Sequence, residues 1–110
     1  MASDPRPAID LEHLGTYTQG DRALELELLN VLLPNAQGYV DTMAAHSGET
    51  WWAAAHGLKG VSLGAGAREL ATLAEAAEAA MDAAAKIRGG HVTALRAALE
   101  RVRRFVTDLD

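Results

Sequence analysis

Toward the C-terminus, Val92, Leu95, Leu99, Val102, Val106 and Leu109 recur at alternating intervals of three and four residues. That rhythm places all of them on one side of an α-helix and scatters them over both faces of a strand, because side chains repeat every 3.6 residues in the first and every two in the second. A helix with one apolar stripe has to bury it against another element. The chain offers only further helices: no stretch sustains apolar–polar alternation, and β-branched and aromatic residues are few. With 110 residues there is room for one modest core and not for two. Residues 1–110 therefore read as a single all-helical domain. It has no cysteine, so neither a disulfide nor a thiolate zinc site stabilises it.

Five segments follow from the punctuation. A short helix spans about Pro7 to Tyr17 and carries Ile9, Leu11 and Leu14. Gly20 ends it, and Asp21 is a suitable N-cap for a long second helix reaching about Ala45. Pro34 falls inside that helix and predicts a kink or a short break. The third helix is predicted from about Thr50 to Leu63, with Gly64 and Gly66 at its end. The fourth is predicted from about Ala67 to Lys86, broken by Gly89 and Gly90, and the fifth from about His91 to Leu109. Four long amphipathic helices with short connections predict an up-down antiparallel four-helix bundle with a short additional N-terminal helix.

In the third helix the inward stripe is Trp51, Ala55, Leu58, Ser62 and Ala65. His56 lies one residue off it, a rotation of about 100° that carries the ring toward solvent. Trp52, Lys59, Gly60 and Leu63 share that face. A lone histidine on a helix is usually structural or merely exposed. Here it stands beside a cation, and four residues before a glycine that weakens the helix interior by about 1 kcal/mol relative to alanine.

The stretch HGLKG followed by VSLGAGARELATLAEAAE resembles the histidine-containing phosphotransfer (HPt) domain of bacterial multistep phosphorelays. His56, Leu58, Lys59, Gly60 and Gly66 match its signature without a gap, and the order and lengths of the helices agree over nearly the whole chain. The resemblance implies that His56 is a phosphoacceptor that attacks a phosphoaspartate on a receiver domain. It also implies partners of two kinds, a hybrid histidine kinase and a response regulator, with magnesium and most of the catalytic residues on the receiver. The chain itself would need no cofactor. Imidazole is a competent nucleophile without a dedicated base. Lys59, one turn on, would steady phosphoryl charge, and Gly60 would clear space for the partner. Glu78 occupies the position of a glutamate that orients the ring in some relatives, although a solvated helix charge reads equally well there. Gly57, Ala65 and Ala77 depart from the family pattern, the first predicting a looser active helix and the others a thinner core.

The second helix carries more leucine and valine than one core face requires. Leu28 and Leu32 are thus candidates for a partner surface, together with Leu63 and Trp52, the last of which could equally be a lid on the bundle flank. The formal net charge of -5 argues against a nucleic-acid partner, and the arginines at 101, 103 and 104 read as solvated helix charges. No apolar run approaches a membrane span, and the opening residues lack the regions of a signal peptide, which predicts a cytoplasmic monomer. His13, His46, His56 and His91 fall on separate segments without metal-ligand spacing, and no phosphate-cradling loop or nucleophile triad stands out. The rival reading is a helical adaptor with the same core and no chemistry.

Overall fold

The structure, a computed structural model, describes residues 7–110. The residues before Pro7, on which part of the reading of the N-terminus rests, lie outside the described residues. Five helices follow one another: α1 (Leu11–Thr18), α2 (Arg22–Ala45), α3 (Gly48–Ala65), α4 (Arg68–Ala79) and α5 (Ala85–Leu109), with no strand among the described residues. Helix α2 packs on α3, α3 on α4, α4 on α5 and α5 back on α2, closing a helical bundle, while α1 lies against α2 and α3. No helix among the described residues is long and apolar enough to cross a membrane.

Local chemistry sets the helix ends. Asp10 caps α1 by accepting from His13 N (3.1 Å), and Asp21 caps α2 by accepting from Leu24 N (3.2 Å). Between them the buried carboxylate of Glu25 accepts from Thr18 Oγ1 (3.0 Å) and from Arg22 Nε (3.1 Å). Both oxygens are partnered, which offsets the loss of water around a carboxyl group placed inside the α1–α2 corner. Helix α3 ends at Gly66, whose φ of 77° closes the turn with Gly66 N donating to Leu63 O and Ala67 N to Ser62 O. A Cβ on Gly66 would also stand 2.9 Å from the backbone oxygen of Asp10, whose own N donates to Gly66 O. The α1 entry is thereby tied to the α3–α4 corner, and the Arg68–Asp10 ion pair (3.1 Å) braces the same joint.

The helix bounds differ from the predicted ones at several points: α1 begins at Leu11 rather than about Pro7, and α3 runs from Gly48 to Ala65 rather than from about Thr50 to Leu63. Helix α2 passes through Pro34 without a break. Asn30 and Pro34 are both exposed, so the carbonyl that proline leaves without a donor lies on the water side, where solvent takes the place of the missing bond. The larger correction concerns α4 and α5: the interruption falls at residues 80–84, and Gly89 and Gly90 lie within α5. The buried indole of Trp51 meets the chain at this corner. Its Nε1 donates to Ala77 O at 2.7 Å, one of the last carbonyls of α4, which lack a partner within the helix. Ala80 N turns to the same oxygen in a tighter bond (3.0 Å), and the chain leaves the helix. Arg88, at the start of α5, reaches back to Ala83 O and lies 5.9 Å over the Trp51 ring, which closes the corner.

The core runs the length of the bundle. Leu29, Val40 and Met43 of α2, Trp51 and Leu58 of α3, Leu70 of α4, and Leu95, Leu99 and Val102 of α5 are all buried. Ala36, Ala55, Ala74, Ala77 and Ala98 are fully buried among them, and such small side chains let helix backbones approach closely. The predicted stripe of α5 is buried at its centre and partly covered at its ends, Val92 and Leu109. Arg101 and Arg103 are more than solvated charges: Arg101 Nε pairs with Glu69 of α4 at 2.7 Å, and Arg103 bonds Gln37 of α2.

Candidate functional site

His56 sits at mid-length on α3, on the side away from the stripe formed by Trp51, Ala55, Leu58 and Ser62, and its side chain is 55% exposed. Two neighbours nevertheless constrain the ring. From α4, Glu78 Oε2 lies 3.3 Å from Nδ1. A carboxylate only accepts, so the proton of a neutral His56 paired with it belongs on Nδ1 and the lone pair on Nε2. One turn back along α3, the Trp52 indole stacks on the imidazole with centroids 4.8 Å apart and planes inclined by 9°. No hydrogen-bond partner reaches Nε2 from the described residues.

Lys59 converges on the same carboxylate. Its Nζ is 3.5 Å from Glu78 Oε2 and 3.9 Å from Glu75 Oε1, with the lysine side chain 25% and Glu78 18% exposed. Glu78 therefore joins the ring and the cation, and it is too well covered to be an ordinary solvated helix charge. In this position Lys59 is a partly buried cation one turn from the ring, paired with two carboxylates of α4.

Gly60 and Gly57 differ sharply. A helical side chain leans toward the N-terminus and covers the turn before it, so a side chain at 60 would lie over His56. A Cβ there meets nothing within 4 Å among the described residues. Gly64, a turn further, is equally open. At Gly57 a Cβ would stand 2.7 Å from Tyr39 Cε1, so this glycine admits the Tyr39 ring of α2 against α3. The looser helix expected from Gly57 is thus corrected to a close packing contact.

Of the residues assigned to a partner surface, Leu28, Leu63 and Trp52 are exposed, the last lying over the ring. Leu32 is 5% exposed and belongs to the core, which corrects its assignment: it forms the floor of a groove rather than its rim. That groove, about 560 Å³, is bounded by Leu28 and Val31 of α2, by Val61 and Gly64 of α3, and by Leu14 and Tyr17 of α1. The contribution of α1 was not legible beforehand, because nothing in the order of residues says where a short first helix docks. Neither was the Trp52–His56 stack, although the four-residue spacing permits it. Among the described residues no group of three or more histidine, cysteine, aspartate or glutamate side chains gathers as a metal site.

The Hpt domain family model matches residues 27–105, which span most of α2, all of α3 and α4, and most of α5. The chain belongs to the Hpt domain family. No curated protein and no solved structure matches it significantly. Membership in this family points to phosphotransfer in phosphorelays, where Hpt domains engage receiver domains.

Proposed function

We propose that the protein carries a phosphoryl group between receiver domains of a two-component phosphorelay, those of a hybrid histidine kinase and of a response regulator, as a phosphohistidine on His56. The observation that carries this reading is the state of the ring: exposed at mid-helix, Nδ1 against Glu78, Nε2 unengaged, and open space over Gly60. In the forward step the Nε2 lone pair forms the N–P bond, the P–O bond of the aspartyl phosphate breaks, and the aspartate leaves as carboxylate. The Nδ1 proton stays on the ring, donated to Glu78, which offsets the positive charge that phosphorylation places on the imidazole. Lys59 supplies a cation to the phosphoryl oxygens as they arrive. The magnesium and the residues that activate the aspartyl phosphate belong to the receiver, so this chain acts as a phosphohistidine carrier rather than a kinase.

The partner docks across α1, α2 and α3. His56, Gly60 and Gly64 follow one another at four-residue steps along α3, so an approaching surface meets little side chain between the ring and the apolar groove. Leu28 and Leu63 flank that path as apolar contacts. Helices α2 to α5 form an up-down antiparallel bundle in this reading, supported by the pairs Trp51–Ala77 and Lys59–Glu75 between α3 and α4 and by Gln37–Arg103 and Asp41–Arg96 between α2 and α5. The protein works as a cytoplasmic monomer.

Incubation with a phosphorylated receiver domain tests the assignment. Acid-labile phosphate should appear on the wild-type chain and be absent from His56→Gln, which keeps its helical spectrum because residue 56 is exposed. Labelled His56→Gln would overturn it, and an unlabelled wild type across all receivers of the source organism would leave a helical adaptor.

A further inference from the structure

We infer that Trp52 is a positioning residue for transfer at His56, its indole fixing the plane of the imidazole so that Nε2 projects outward. The inference rests on His56 being the phosphoacceptor. An exposed histidine ordinarily samples several rotamers, and its ring turns broadly about Cβ–Cγ. Two contacts remove that freedom in different ways. The parallel Trp52 stack, at 4.8 Å and 9°, restricts the ring to one plane. Within that plane a half-turn would exchange the edge carrying Nδ1 for a C–H edge, and only the Glu78 contact at 3.3 Å distinguishes the two settings. Trp52 sets the plane and Glu78 sets the edge; together they leave one direction for Nε2.

The stack is not a by-product of packing. Trp52 is 40% exposed, whereas the adjacent Trp51 is 1% exposed and carries the structural bond to Ala77. A large aromatic left half in water on a helix flank gains less from burial than its neighbour does, and its best-defined contact is the imidazole face. Preorganising a nucleophile matters because a ring that must first be oriented loses part of the rate that fixed geometry supplies.

Phosphoramidate is the probe, since it phosphorylates histidine without a protein partner: Nε2 forms the N–P bond, the donor's P–N bond breaks, and ammonia leaves with its electron pair. Two quantities are read on wild type, Trp52→Ala, Trp52→Phe and His56→Gln: the rate of labelling, and the tautomer of His56 from its ring nitrogen-15 shifts. Trp52→Ala should label about three- to tenfold more slowly, and its neutral ring should drift from the Nδ1–H form toward the Nε2–H form that free histidine prefers. Trp52→Phe, which keeps a flat partner, should restore both. Either change without the other overturns the inference, as do an unaffected Trp52→Ala or a Trp52→Phe impaired to the same extent. Labelling of His56→Gln would instead remove the phosphoacceptor itself, which separates the two failures.

Discussion

Replacing Gly60 by alanine isolates what a glycine is doing in the middle of α3. An interior helical glycine costs about 1 kcal/mol relative to alanine through backbone entropy and lost helix propensity. No packing term opposes the gain, because a Cβ at 60 has nothing within 4 Å. Gly60→Ala should therefore stabilise the domain by close to 1 kcal/mol, about 4 to 8 °C in Tm for a domain of this size. Gly57→Ala is the internal control on the same helix. Its Cβ would enter the space of the Tyr39 ring at 2.7 Å, and overpacking of that kind costs about 1 to 3 kcal/mol against the same propensity gain. The two alanine variants should thus differ by about 1 to 3 kcal/mol, with Gly60→Ala the more stable. Thermal and urea unfolding followed by far-ultraviolet circular dichroism measure both. A Gly60→Ala protein less stable than wild type, or a Gly57→Ala protein as stable as Gly60→Ala, would refute the reasoning. Gly60→Gln then links stability to function: it should fold at least as well as wild type yet accept phosphate from a receiver more slowly, its side chain lying over His56. Normal transfer by a stable Gly60→Gln removes the clearance role.

The corrected α5 predicts that Gly89→Ala and Gly90→Ala, both at open helical positions, each stabilise the domain by about 1 kcal/mol; a loss of stability in both would restore a break at those glycines. Trp51→Phe keeps most of the apolar bulk but removes the indole N–H from Ala77 O, which keeps its bond from Ala80 N, so urea unfolding should show a loss of about 0.5 to 1.5 kcal/mol. The buried Ser62 hydroxyl has no hydrogen-bond partner among the described residues, so Ser62→Ala should raise stability by about 1 kcal/mol in the same assay, and a loss would show that the hydroxyl is bonded after all. Asp10 is held below the ordinary carboxylate range, first by the His13 N–H and then by the Arg68 guanidinium. Its folded value lies below its unfolded one, so its contribution is complete above the ordinary carboxylate range and fades as pH falls through the lowered value. The stability difference between wild type and Asp10→Asn should shrink over that acid window, and a difference independent of pH would show that the charge of Asp10 contributes nothing.

Helix content and the outward place of His56 could be read from spacing alone, because both are decided within a few turns of chain. The stripe of α5 and the offset of His56 from Trp51, Ala55 and Leu58 are of this local kind. The α4–α5 boundary was not, because the partner that meets the end of α4 comes from far away. Trp51 precedes Ala77 by twenty-six residues, and only the fold brings its indole to that carbonyl. The glycines at 89 and 90 do not stop α5, which carries on through them to the face buried at Leu95, Ala98, Leu99, Val102 and Val106.

The same limit divides Gly57 from Gly60. Both lie in one helix, three residues apart, and no local rule distinguishes them. A rotation of about 300° between them turns one toward Tyr39 of α2 and the other toward empty space beside the ring. A glycine in a helix announces that a backbone must be approached, and leaves open by what. At 57 the visitor is part of the molecule and is present, so the glycine serves packing. At 60 the space is vacant next to a ring with one unengaged nitrogen, and a chain that forgoes about 1 kcal/mol of helix propensity without gaining any internal contact is consistent with a visitor from outside. Glu78 is likewise explained only by the fold: from α4, twenty-two residues on, it meets both Nδ1 of His56 and the Lys59 ammonium, contacts that no spacing within α3 announces.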